Sequence, residues 1–124
     1  MSVIEKKILF NGSKGELILN TLFDSEASFS CISKDKAEIL GNLEPFPKPM
    51  PVKTADKGNT MSVKSRIGLD FHLNEDRFFD EFMVIDELSE EVIIGAKTLQ
   101  SWRMKLDFEN DEIVYDKKVT KLRI

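Results

Sequence analysis

The residues best suited to chemistry lie in Leu22-Phe23-Asp24-Ser25-Glu26-Ala27-Ser28, an apolar run that ends on an acid and a hydroxyl followed by small side chains. A buried strand that delivers an acid to a loop holds the carboxyl in place and still lets it meet a substrate. Hydrolysis by carboxyls alone needs two of them a few ångströms apart and sharing a proton, so that one activates water while the other protonates the carbonyl oxygen. Asp24 is the one acid in a suitable loop. A twofold homodimer would supply the second, because an isologous interface sets each residue on the axis opposite its own copy.

Further along the chain stands Val92-Ile93-Ile94-Gly95-Ala96-Lys97-Thr98-Leu99, an aliphatic run broken by glycine and followed by helical spacing. Together the two segments resemble the paired motifs of the retropepsin-like (retroviral-type, clan AA) aspartic protease family. The first is similar to its hydrophobic-Asp-Thr/Ser-Gly-Ala-Ser/Thr motif, and the second to its aliphatic pair followed by glycine and a short helix. The resemblance covers nearly the whole chain. It implies Asp24 as the catalytic aspartate, with Ser25 hydrogen-bonding across the dimer axis and Ala27 and Ser28 bordering the substrate groove. It also implies that Ile93, Ile94 and Gly95 form the second motif, with Gly95 behind the active-site loop where a side chain would collide. Asp56, Lys57 and Gly58 would sit at or near the tip of a flap, and Met104-Lys105-Leu106-Asp107-Phe108 resembles the strand after the helix.

Two positions depart from the family pattern. Glu26 stands where the first motif has glycine, and Lys97 where cellular relatives often have aspartate. Glycine allows close backbone packing beside the acids, whereas glutamate adds bulk and charge. In a dimer, two copies each of Asp24 and Glu26 would crowd four acids around one axis, and such a cluster resists closing near neutral pH unless it takes up protons or cations. Glu26 would then turn outward toward a cation, with Lys97 a candidate, or the site would be degenerate. Three readings follow: an aspartic endopeptidase acting on an extended peptide or protein substrate; a peptide-binding or dimerisation module of the same fold without hydrolysis; and a monomeric barrel indifferent to Asp24. No cofactor is required by any of them.

The elements that must position these residues read mainly as strands. Short β-branched and aromatic runs recur between Asn-Gly, Lys-Gly and Asp-rich punctuation. Lys7 to Phe10 and Glu16 to Phe23 form a hairpin, Phe29 to Ile32 a strand, and Ser33 caps a two-turn helix that carries Ala37 and Leu40 inward before Gly41. Pro45, Pro47, Pro49 and Pro51 predict an extended surface connection rather than a sheet strand over Leu43 to Pro51. Val52 to Ala55 and Met61 to Phe71 flank Asp56-Lys57-Gly58-Asn59 as a long hairpin, and Ser65 to Leu73 pairs with Arg77 to Ile85. Ala96 to Trp102 is a second short helix, followed by a hairpin around Glu109-Asn110-Asp111 and a tail whose Val119, Leu122 and Ile124 suit either a dimer interface or the protomer's own core. The expected fold is all-β: a small closed retropepsin-like (acid protease) barrel with one or two short helices, as a single domain over residues 1–124.

Composition narrows the partners. A chain of 124 residues with 41% hydrophobic content and net charge −4 can bury a core but lacks the basic footprint that holds nucleic acid. With no run of about 18 apolar residues and no secretory leader pattern, neither a membrane nor export is expected. The single cysteine excludes an internal disulfide, which weakly favours the cytoplasm. Cys31 reads as a buried inert thiol and Trp102 as core or interface. His72 reads as a solvent-facing strand residue, and Asp86, Glu87, Glu90 and Glu91 as a solvated turn. One histidine and one cysteine supply no metal-ligand spacing.

Overall fold

The computed structural model describes residues 3–53 and 60–121. The chain runs through β1 (Val3–Asn11), β2 (Glu16–Asp24), β3 (Cys31–Ser33), α1 (Lys34–Leu40), β4 (Glu44–Lys53), β5 (Thr60–Leu73) and β6 (Asp76–Ile85). It continues through β7 (Val92–Ile94), α2 (Ala96–Ser101), β8 (Lys105–Asp107), β9 (Glu112–Val114) and a 3₁₀ turn at Lys117–Thr120.

The strand order β1-β2-β7-β3-β6-β5 closes on itself, because β5 returns to β1 through Phe10 opposite Phe71 and Asn11 opposite Asp70. The closed ring is the expected all-β barrel with two short helices. Most neighbours are antiparallel, but β7 runs parallel to β2 and β3 parallel to β6. The β5–β6 hairpin turns through Asn74 and Glu75, both at positive φ, which matches the handed twist of the strands.

Alternation along the strands fills the ring. Phe10, Phe71, Phe78 and Phe82 are fully buried, and Phe10 and Phe82 meet edge to face at 5.7 Å between centroids. Trp102 meets Phe78 edge-on at 5.1 Å while its Nε1–H donates to Phe79 O, so it belongs to the core. Fully burying such a side chain is worth about 1.5–3 kcal/mol, and this aromatic stack dominates the barrel interior. A second, smaller apolar cluster of Cys31, Val63 and Met83 gathers Phe46, Met50, Val52, Met61, Ile85, Leu88 and Ile93 around it.

Three local expectations need correction. The proline-rich segment is a sheet strand after all: β4 pairs with β5 from Glu44 opposite Arg66 to Lys53 opposite Thr60, with an irregularity between Pro45 and Met50. Prolines are tolerated because β4 lies at the margin of the sheet, where an absent donor costs no ladder bond. The strand expected at Phe29 begins only at Cys31, since residues 28 and 29 bend to pass behind the loop. His72 is half-buried and its Nε2 lies 2.8 Å from Asn11 Oδ1, held there by the closing contact of β5 with β1. Val119 packs on the main core from the 3₁₀ turn, while Leu122 and Ile124 lie outside the described residues.

Candidate active site

Asp24 is the last residue of β2 and is half-buried. Phe23, immediately before it, is fully buried, so the strand that carries the acid is fastened in the core by its own neighbour. Glu26 N–H donates to Asp24 Oδ1 at 2.9 Å and Ala27 N–H to Asp24 O at 3.2 Å, forming a tight turn that orients the carboxylate. Ser25, Glu26 and Ser28 are exposed and Ala27 is half-buried. A polar rim with the acid at its base results.

The second segment is brought against this loop by sheet pairing. Leu22 lies opposite Ile93 and Phe23 opposite Ile94 in the parallel pair of β2 and β7, so the two strands end together with Gly95 beside the Asp24 turn. Ile94 points into the main core, whereas Ile93 joins Cys31 in the smaller cluster. At Gly95 an added Cβ would stand 2.6 Å from Phe29 O and 2.7 Å from Ala27 O, so only glycine lets the loop pass this closely.

The loop is then stitched to the start of α2. Ala96 N–H donates to Ala27 O at 2.6 Å and Lys97 N–H to Ser28 O at 3.1 Å. Beneath them, Ser30 Oγ accepts Gly95 N–H at 3.0 Å and meets Thr98 Oγ1 at 2.5 Å, both hydroxyls being buried. Met83 N–H donates to Ser30 O and ties the same point to β6. Ser30 and Thr98 were not singled out from the sequence. Their only signal was a hydroxyl in an otherwise apolar register, Ser30 before Cys31-Ile32 and Thr98 one helical turn before Trp102.

Other expected residues fall around the site as follows. Lys97 lies with Nζ 5.2 Å from the centroid of the Phe29 ring, a cation over a partly exposed aromatic face. Burial pushes the Cys31 thiol up to about 12, against a smaller opposing pull from the Ile93 backbone, which keeps it protonated and unreactive at neutral pH. Asp56, Lys57 and Gly58 lie outside the described residues. In the acidic turn before β7, Glu91 accepts Asn20 N–H at 2.7 Å and pairs with Lys36 at 3.6 Å. Among the described residues no group of three or more His, Cys, Asp or Glu side chains could hold a metal ion, and no helix is long and apolar enough to cross a membrane.

No family model and no curated protein sequence matches this chain. Solved structures do. The retroviral protease-like domain of Ddi1 from Leishmania major superposes with a TM-score of 0.69 at 18% identity, covering 94% of this chain and 90% of that one. EIAV protease complexed with the inhibitor HBY-793 gives a TM-score of 0.62 at 18% identity, covering 84% of this chain and 91% of that one. The fold is therefore retropepsin-like.

Proposed function

We propose that the chain is a single retropepsin-like domain acting as an aspartic endopeptidase, with a dyad formed by Asp24 from each protomer of a homodimer. The observation that carries this reading is the braced turn at Asp24. A half-buried acid at a strand end, its Oδ1 taken by Glu26 N–H and its loop bonded to the start of α2, is preorganised in the way catalytic carboxyls require.

In the dimer the two acids would share one proton. The ionised carboxylate takes a proton from water as the oxygen attacks the scissile carbonyl, and the protonated one donates to the carbonyl oxygen. Collapse of the tetrahedral intermediate returns a proton to the departing amine. Ser25, exposed beside Asp24, would hydrogen-bond across the axis and hold the loops in register. The substrate would lie extended between this loop and the β4–β5 hairpin, which is the flap of this reading, with Asp56, Lys57 and Gly58 at its tip.

Glu26 favours a second reading. Its exposed side chain leaves the turn directly after Asp24, and in a dimer two copies would add charge beside the dyad. A peptide-binding or dimerisation module that keeps the groove without hydrolysis fits that crowding. Incubation with an unfolded-protein mixture from pH 4 to pH 7, read by mass spectrometry, separates the two. Cleavage that disappears in Asp24→Asn supports the endopeptidase. If wild type is inactive and Glu26→Gly gains cleavage or dimerisation by ultracentrifugation, Glu26 is the limiting residue. A monomer at all concentrations with no cleavage in either form sinks both readings.

A further inference from the structure

Among the described residues, the outer part of the β4–β5 hairpin has two uncovered edges of opposite character. β4 forms the outer edge, where Pro45, Pro47, Pro49 and Pro51 are all exposed. A proline has no N–H to give an incoming strand, so four of them at every second residue blunt this edge against strand addition. The inner edge belongs to β5. From Ser65, opposite Val84, β5 pairs with β6, but β6 ends at Ile85 and the chain turns away through Asp86 and Glu87. Thr60 to Val63 therefore pairs with β4 on one side, and among the described residues no strand covers the other.

That fork in the sheet leaves backbone donors and acceptors available. Alternate residues of an extended strand turn their N–H and C=O groups to the same edge, and here no proline interrupts them. A cleft of about 260 Å³ opens alongside, between Met61 to Val63 on one wall and Val84 to Glu87 on the other. Its apolar side is made by Met61, Val63 and Ile85, which belong to the cluster around Cys31 and Met83. Asp86 and Glu87 are exposed at its end, and neither enters an ion pair among the described residues. Lys64, the next residue along β5, is exposed and does not line the cleft.

We propose that this inner edge of β5 is a strand-addition site for an extended peptide segment with an apolar side chain two residues from a basic one. Side chains at i and i+2 share a face of an added strand, so the apolar one enters between Met61, Val63 and Ile85 while the basic one meets Asp86 and Glu87. Backbone pairing with Thr60 to Val63 supplies affinity, and the two carboxylates supply selection by charge. The edge would hold its segment whether or not that polypeptide is cut.

The test uses the full chain and a fluorescein-labelled peptide of alternating threonines carrying one leucine and, two residues on, one arginine. Anisotropy should show saturable binding, at least about tenfold weaker when the arginine is replaced by glutamate or when alternate amides are N-methylated. The double variant Asp86→Lys and Glu87→Lys should reverse the preference toward the glutamate peptide. Hydrogen exchange should slow at Thr60 to Val63 when the arginine peptide is added. Equal binding of the two peptides, indifference to N-methylation, or slowing at the Asp24 loop in place of β5 overturns the proposal. So does slowing at β5 that follows chain concentration alone, which would assign the edge to a second copy of the chain.

Discussion

The Asp24 loop and the β4–β5 arm are held by different kinds of contact. The loop is fixed by backbone hydrogen bonds to the start of α2, by a buried hydroxyl pair, and by Gly95 pressed against two carbonyl oxygens. The arm carries prolines on its outer strand, an irregularity between Pro45 and Met50, and ion pairs from Arg66 to Glu44 at 2.6 Å and Glu81 at 3.3 Å, all at the surface. Buried hydrogen bonds are costly to break because the groups left behind lose water as well as their partner, whereas exposed ion pairs exchange with solvent at little cost. In the proposed endopeptidase, a site that must be positioned and a cover that must admit a chain would call for this division.

The largest effect should come from breaking the loop's contact with Gly95. Gly95→Ala adds a Cβ within 2.7 Å of backbone oxygens that cannot rotate away. It should lower stability by roughly 3 kcal/mol, read as a lower urea midpoint with unchanged slope. An unchanged midpoint would mean the loop gives way freely, and the comparison would fail at its firmer side.

Next come the hydroxyls. Ser30→Ala strips Gly95 N–H and Thr98 Oγ1 of their partner in a buried setting and should cost about 1–3 kcal/mol. Thr98→Val should cost a similar amount, and the double variant less than the sum, with a coupling on the order of 1 kcal/mol. Strict additivity would separate the two residues.

On the arm, Arg66→Ala should cost under about 1 kcal/mol in global unfolding, yet amide exchange over Glu44 to Met50 should speed up. A global loss as large as that of Ser30→Ala would mean that the arm is fastened as firmly as the loop.

The smallest readout concerns the far end of β5, where Tyr115 Oη lies 2.9 Å from Leu73 O and 2.5 Å from Asp76 Oδ2. Partial burial, then the Asp76 carboxylate, push the phenol from its ordinary 10 up to about 12. Folding thus favours the neutral phenol, a contribution fully present below pH 10 and lost as pH rises through 12. The stability gap between wild type and Tyr115→Phe in urea unfolding should accordingly narrow between pH 10 and 12. A constant gap would mean that Tyr115 is not held by Asp76.

Much of this was legible in the residues. Hairpin turns at Asn11 to Gly15 and Asn74-Glu75 declare themselves by local chemistry, and α1 by the spacing of Ala37 and Leu40 before Gly41. The end of β2 at Asp24 follows from an apolar run that stops at a polar turn. The strand role of β4 was not legible, because prolines that bar a central strand are harmless at a margin, and only the neighbouring strand defines the margin. The Ser30–Thr98 pair was equally hidden, since two hydroxyls far apart in sequence carry no mark of their meeting. His72 followed the alternation of its strand, but its bond to Asn11 depends on where the ring closes.

Taken alone, the order of residues determined the turns, the alternating faces and the acid at the end of β2. These are set by interactions among near neighbours, where backbone sterics and the two-residue period of a strand leave few choices. Tertiary structure decided the closure of β5 onto β1, the parallel pairing that sets Gly95 behind Asp24, the hydroxyl pair beneath them and the fork where β6 leaves β5. Each depends on which distant segments come to lie side by side, and that is chosen by burial of the whole aromatic core at once.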